Sequence, residues 1–134
     1  MKKEAIITVF ILVIIFIGEF ITQGFTSKYL GDTKIQLENI KTEILKGQLS
    51  TKELIEKTNK IYDDWEWKNE NCLSYYLEHD ELEKINTKLC SVKGYLESDD
   101  KADCMSDLEE AMYIIEHLKE KEAFSLKNIF LAKK

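Results

Sequence analysis

Hydrophobic residues form one continuous run near the N-terminus, followed by sets that recur every three or four positions. Residues 5–17 are almost unbroken hydrocarbon, with Thr8 as the one polar member. At about 1.5 Å of rise per residue they span only about 20 Å, so a membrane crossing must recruit residues up to about Phe25. Residues 5–25 are therefore predicted to contact the lipid bilayer as a transmembrane helix.

A cleaved signal peptide is the rival interpretation of this run. No small-x-small cleavage pattern follows it between Gly18 and Phe25. Glu19 is predicted toward the far edge of the bilayer, where a carboxylate costs much less than at the centre. We therefore favour an uncleaved signal anchor over residues 1–27.

The charges that flank the anchor predict its orientation. Lys2 and Lys3 favour a cytoplasmic N-terminus in the cell membrane. The following domain, residues 28–134, is then extracytoplasmic, although Lys28 and Lys34 weaken the asymmetry of charge.

Helix boundaries are marked by capping residues. Thr33 with Gln36 fits a capping box at the start of the first helix of the domain, and Gly47 is predicted to end that helix. Ser50 with Glu53 fits a second capping box.

Apolar stripes at helical spacing follow these boundaries. They comprise Leu37, Ile40 and Ile44; Leu54, Thr58, Ile61 and Trp65; Leu82, Ile85, Leu89, Val92 and Leu96; and Cys104, Leu108, Ala111, Ile115 and Leu118. The fold class is therefore all-α, with the N-terminal transmembrane helix followed by a small antiparallel bundle of three or four helices.

The number of helices depends on the stretch after Ser50. Neither glycine nor proline stands between Ser50 and Lys93, yet one continuous helix of about 48 residues would be roughly 70 Å long. Such a helix is too long to run back from a short first helix without meeting the membrane. We favour a bend or break at residues 78–80, where Asp80 is a candidate cap, and one continuous helix is the alternative.

Composition narrows the function classes. The chain has 134 residues, no proline, 19 basic residues that are all lysines, and a formal charge of −6, so nucleic acid is not an expected partner. Cys72, Cys90 and Cys104 match no zinc or CxxC spacing. Either three separate thiols or one closed pair with a free third cysteine fits the sequence, which does not choose the pair.

Two tryptophans stand two positions apart, and on a helix they point about 200° away from each other. Trp65 follows Ile61 by four, which places it on the apolar stripe, so it is predicted in the core with Leu82, Ile85 and Leu89. The neighbours of Trp67 at helical spacing are polar and include Asp63, Asp64 and Glu70. Trp67 is therefore either a cover for the edge of a neighbouring helix or an anchor for a partner protein.

His79 is predicted on or beside the third apolar stripe, bonded to a tyrosine or to Glu83. The Glu-x-x-His pairs of di-iron bundles are absent, since Tyr76 and Ile114 precede the two histidines by three. No metal or cofactor is expected. No nucleophile elbow or phosphate-binding glycine loop occurs either, so an enzyme is not expected.

Four features together resemble a known family: the lysine-flanked N-terminal span, the Trp-x-Trp, LSYYLEHDELEKI at residues 73–85 and SLKNIF at residues 125–130. The family is a group of short membrane-anchored proteins of spore-forming Gram-positive bacteria, known as domain of unknown function 4363. It has no assigned activity. The resemblance implies an accessory protein of a membrane complex, often encoded beside a multi-spanning membrane protein and connected with spores. It draws attention to Trp65, Trp67, His79, Glu81 and Leu82 without giving them roles.

The function expected from the sequence is that of a non-enzymatic, membrane-anchored interaction protein. Its partner is a multi-spanning membrane protein, and its candidate contact residues are Trp67, Asp63, Asp64, Glu70 and Phe130, the last from an apolar C-terminal stretch that also fits the membrane interface or the protein's own bundle. The alternative is an extracytoplasmic sensor or carrier that binds a small ligand or metal near His79 and Glu83.

Overall fold

Four α-helices and one short 3-10 turn make up the protein. The computed structural model describes residues 1–131, apart from the side chains of residues 125, 126, 129 and 130. The helices are α1 (Lys2–Lys46), α2 (Thr51–Asn71), α3 (His79–Glu97) and α4 (Lys101–Leu131), and the 3-10 turn is Leu73–Tyr75. The all-α class with an N-terminal apolar helix and a following bundle is confirmed.

The first helix is continuous from the apolar run into the bundle. Its 45 residues give a length of about 68 Å. The division at residues 27 and 28 therefore falls inside one helix. The capping box at Thr33 was wrong, because Thr33 lies in the interior of α1 and its Oγ1 donates to the Tyr29 carbonyl at 3.0 Å.

α1 has two parts that differ in their surroundings. Its most apolar stretch has no buried residue. Among the helices that the structure describes, α1 is the one that is long and apolar enough to cross a membrane. A signal sequence fits the same length and composition. From Thr26 onward, one side chain in every three or four is buried, and that stripe forms one wall of the core: Thr26, Leu30, Thr33, Leu37, Ile40 and Ile44.

Local backbone chemistry ends α1 and starts α2, as the sequence predicts. Gly47 follows α1 in the left-handed conformation, with φ 64°, and its amide donates to the Glu43 carbonyl at 3.2 Å. Ser50 and Glu53 form the reciprocal hydrogen bonds of a capping box. Both predictions are confirmed.

α2 and α3 are separate helices, so the predicted break exists, although it begins earlier than expected. The helical backbone stops at Asn71, and residues 72–78, here called the basal loop, connect it to α3. Glu78 occupies the cap position of α3 in place of the Asp80 candidate. The chain is held in this turn because Leu73 and Leu77 are both buried in the core.

The helices pack as an antiparallel four-helix bundle. Each one contacts the next along the chain, and α4 returns to contact α1. The apolar stripes of all four helices meet in a single core, in which Trp65, Leu82 and Ile85 are 0% exposed and Leu89 is 2% exposed.

Polar contacts fix the register between α1 and α4. Lys34 Nζ lies 3.0 Å from Glu116 Oε2, and Lys41 pairs with Glu109 about two turns further along α1. Near the apolar stretch, Gln23 Nε2 donates to the Glu122 carbonyl at 3.1 Å. The C-terminal part of α4 therefore runs back along α1 toward the apolar run.

Replacing Gly47 with alanine should destabilise the bundle, because the left-handed conformation costs a residue with a Cβ about 1 kcal/mol. Gly94→Ala is the matched control, since Gly94 lies within α3 with open space around it. The Gly94→Ala change should raise the free energy of unfolding by about 0.5 to 1 kcal/mol. Urea unfolding of the full-length protein in mild detergent, followed by tryptophan fluorescence, measures both. Equal effects of the two substitutions would contradict the role of Gly47.

Acid should weaken the contacts that link α4 to α1 and α3. The hydrogen bond from Lys34 holds the pKa of Glu116 below its usual value, and the hydrogen bond from Lys121 does the same for Glu78. A carboxyl with a lowered pKa in the folded state stabilises the fold above its unfolded pKa, and this contribution is lost as the pH falls through the folded pKa.

The urea midpoint should therefore drop as the pH falls from about 6 to about 3, below the ordinary carboxyl range. Glu116→Gln should show a smaller drop than the natural chain. Glu56→Gln, at an exposed carboxyl of α2 with no ion pair to any described residue, should leave the drop unchanged. A pH dependence identical in all three proteins would count against the Lys34 contact.

Candidate membrane-proximal interaction site

Two tryptophans near the end of α2 have opposite environments. Trp65 is 0% exposed, whereas Trp67 is 56% exposed. Because α2 runs antiparallel to α1, this end of α2 lies beside the part of α1 that follows the apolar run.

Trp67 is held edge-on against an aromatic ring of α1. The ring centroids of Trp67 and Tyr29 are 6.5 Å apart, with an interplanar angle of 84°. Phe25, one turn before Tyr29 on α1, continues the row at a centroid distance of 6.3 Å. Such edge-to-face contacts favour a defined ring orientation. We call Phe25, Tyr29 and Trp67 the aromatic flank.

The acidic residues beside Trp67 fall into two groups. Asp64 pairs with Lys68 at 2.6 Å, and Lys68, a buried lysine, also lies over the Tyr29 ring at 5.8 Å from its centroid. Asp63 and Glu70 are exposed and form no ion pair with a described residue. They stand four before and three after Trp67, on the same face of α2. Of the three predicted acids, Asp63 and Glu70 therefore accompany Trp67 on the surface, and Asp64 has a structural partner.

Phe130, the remaining predicted contact residue, lies in α4, and its side chain is outside the described residues. The backbone of α4 is helical through Leu131, and Phe124 and Leu131 are exposed. The register between Gln23 and Glu122 places this part of α4 beside the apolar stretch of α1.

His79 is not on the core stripe. It is exposed at the first position of α3, and it makes no hydrogen bond with a described residue. The nearby surface depression includes Asp80, Glu83 and Lys84 in its lining but not His79. Among the described residues, no three His, Cys, Asp or Glu side chains are placed to hold a metal ion.

Tyr29 and Lys68 are the two members of this region that sequence reasoning missed. Tyr29 was not predicted as a neighbour of Trp67, because the first helix of the bundle was predicted to begin after Tyr29. Phe25 and Tyr29, four apart on an uninterrupted helix, are the signal that would have placed both rings on one face. Lys68 had no sequence signal, since a buried lysine is recognisable only from its partners.

The model of the family described as domain of unknown function 4363 matches residues 20–129. The chain belongs to this family. No curated protein and no solved structure matches it.

The match to domain of unknown function 4363 covers nearly all of the bundle and all three residues of the aromatic flank. It begins near the end of the apolar run of α1. The family carries no assigned function, so the interpretation of this site rests on its geometry.

The three cysteines of this family member are free thiols in different environments. Cys90 is exposed, Cys72 is half-buried and Cys104 is buried. Burial, with the negative charges of Asp107 and Asp100, raises the pKa of the Cys104 thiol to about 11. A thiol reacts as the thiolate, so burial and the raised pKa both slow Cys104.

Maleimide labelling of the full-length protein in mild detergent at neutral pH should modify Cys90 first, Cys72 next and Cys104 last. Peptide mass spectrometry gives the three rates. Labelling in urea is the control, because Cys104 should then react at a rate close to that of Cys90. Rapid labelling of Cys104 in the folded protein would contradict its burial.

Proposed function

We propose that this protein is a non-enzymatic, single-span membrane-anchored accessory protein that binds a multi-spanning membrane protein. Its contact surface is the aromatic flank together with Asp63 and Glu70. The observation that carries the proposal is the exposed Trp67 ring, held against Tyr29 on the helix that leads directly into the apolar stretch.

Preorganisation supports Trp67 as a binding residue. A large aromatic side chain that is already oriented loses little conformational freedom on binding, and tryptophan is enriched among residues that dominate protein interfaces. The contact with Tyr29 supplies this orientation, while more than half of the Trp67 surface stays available.

Position supports a membrane partner. Tyr29 follows Phe25 by four residues, which is about 6 Å along a helix, so the flank begins where the proposed span ends. A surface so close to the span meets the loops and helix ends of a neighbouring membrane protein.

Charge supports a basic contact on that partner. Asp63 and Glu70 flank Trp67, and neither is neutralised by a described lysine. Charges beside an apolar anchor favour a complementary partner and disfavour one of like charge. The partner surface is therefore proposed to carry lysine or arginine around an apolar recess.

Orientation and location complete the proposal. Lys2 and Lys3 precede the apolar stretch and favour a cytoplasmic N-terminus, with the bundle outside the cell membrane. No cofactor enters the proposed function. A ligand-binding role near His79 has no observation in its favour.

The test is an affinity pull-down of the full-length protein, extracted gently from its native membrane and analysed by mass spectrometry. The natural chain should recover one multi-spanning membrane protein. Trp67→Ala should weaken that complex by about 2 kcal/mol or more, which is roughly thirtyfold in Kd. Asp63→Asn with Glu70→Gln should weaken it less, with greater sensitivity to salt in the natural chain.

Tyr113→Ala is the control, because Tyr113 is an exposed aromatic residue, 73% against 56% for Trp67, and it lies on α4 far from the apolar stretch. It should leave recovery unchanged. Phe130→Ala tests the remaining candidate separately. Recovery of the same partner by the natural chain and by Trp67→Ala would overturn the assigned surface, and recovery of no membrane protein by the natural chain would overturn the function.

A further inference from the structure

The basal loop presents two tyrosines outward. Tyr75 is 74% exposed and Tyr76 is 55% exposed, and their rings meet at a centroid distance of 6.4 Å. Leu73 and Leu77, on either side of them, are buried. The loop is therefore anchored by its leucines, and its two aromatic rings point away from the core.

Cross-helix contacts give the height of this loop along α1. Glu78, the last residue of the loop, pairs with Lys121 of α4. Glu122, which follows Lys121 on α4, accepts a hydrogen bond at its backbone carbonyl from the Gln23 side chain of α1. The end of the basal loop is therefore about level with Gln23, inside the C-terminal part of residues 5–25.

Bilayer dimensions place that level at the membrane surface. A span of about 20 residues crosses a hydrocarbon core about 30 Å thick, and each headgroup layer adds roughly 5 to 8 Å. If residues 5–25 form the span, Gln23 lies at the outer end of the hydrocarbon core. The basal loop, at the same level, then faces the lipid headgroups. The loop would avoid the lipid only if the bundle tilted away from the membrane surface.

Side-chain chemistry agrees with this position. Tyrosine is favoured at membrane interfaces, because its ring meets the apolar boundary while its hydroxyl stays hydrated. The carboxylate of Glu78 is paired with Lys121, so the loop does not offer that carboxylate as a free charge. Asp80 and Glu83 follow on α3 and are exposed, which favours zwitterionic over anionic lipid.

We propose that the basal loop rests in the lipid headgroup layer of the membrane that α1 crosses, with Tyr75 and Tyr76 as its contact residues. This inference rests on the anchor within the proposed function, and it does not require the protein partner. The loop and the anchor together hold the bundle upright, with the aromatic flank beside the membrane.

The first experiment uses the natural full-length chain in phosphatidylcholine vesicles. After flotation shows which protein is membrane-bound, lactoperoxidase iodinates the tyrosines that an enzyme in the water phase can reach. Tyr113 is the internal standard, since it is as exposed as Tyr75 but lies in the half of α4 that is far from the apolar stretch. Iodination of Tyr75 and Tyr76, measured by peptide mass spectrometry, should be several-fold slower than that of Tyr113.

The second experiment detects the lipid directly. Tyr75→Trp is introduced with Trp65→Phe and Trp67→Phe, and its emission is measured in vesicles that carry a nitroxide on the choline headgroup. Quenching should be strong for Tyr75→Trp and weak for Tyr113→Trp in the same background. If the triple variant fails to fold, as judged by circular dichroism, the iodination of the natural chain alone tests the loop contact.

The outcomes separate this inference from the proposed function. Equal iodination of Tyr75, Tyr76 and Tyr113, or equal quenching at both tryptophan positions, overturns the loop contact whether or not a partner is recovered. Protein that does not float with the vesicles overturns the anchor and therefore both proposals. Slow iodination in pure lipid, combined with a pull-down that recovers no partner, supports the loop contact and removes the proposed function.

Discussion

The rest of the structure depends on the uninterrupted backbone hydrogen bonding of α1. A helix of 45 residues is maintained because the chain contains no proline, and because Gly18, Gly24 and Gly31 stay helical within it. Its N-terminal part is apolar on all sides, whereas from Thr26 onward only one stripe is buried. One rigid element therefore belongs both to the proposed membrane anchor and to the core. A flexible linker would leave the bundle free to move, whereas this helix fixes the direction of the bundle relative to the apolar stretch.

Antiparallel packing then gives the two ends of the bundle different surfaces. The turns at Gly47 and Asp99 lie far from the apolar stretch, and both use left-handed backbone conformations, with φ of 64° and 57°. The basal loop and the C-terminal part of α4 lie near it. Several exposed aromatic residues, including Trp67, Tyr75 and Phe124, are found at this near end. Their shared position follows from the topology of the chain, since each belongs to a different segment.

Features that depend on local chemistry could be predicted from the sequence. Gly47 and the Ser50 capping box were predictable because the preference for a turn or a cap is decided within four or five residues. Thr33 was misread for a related reason. A threonine has the same polar signature at a cap and inside a helix, and only the state of the preceding residues distinguishes the two, here through the hydrogen bond to the Tyr29 carbonyl.

Features that depend on distant parts of the chain could not be predicted in the same way. The start of the basal loop at Cys72 is decided by the burial of Leu73 and Leu77 among helices from the rest of the sequence, a context that the residues themselves do not reveal. The partners of Trp67 and Lys68 are a further example, because Tyr29 becomes their neighbour only once α1 is known to pass through that position. The candidate site was thus recognisable by its unusual residue, Trp67, and its setting came from tertiary packing.

The ion pair between Asp64 and Lys68 explains why the surface around Trp67 combines an aromatic anchor with unpaired acids. Lys68 needs a carboxylate, because a buried ammonium without a partner is costly. Asp64 fulfils this requirement from one turn before it, and the Lys68 ammonium also lies over the ring of Tyr29. Asp63 and Glu70 are then left to solvent on either side of Trp67. In the proposed complex, the arrangement that stabilises the contact between α1 and α2 also orients Trp67. It leaves the negative charges of Asp63 and Glu70 beside that ring. In that complex, α1 also holds the aromatic flank at one distance from the apolar stretch, so position and charge together would select the partner.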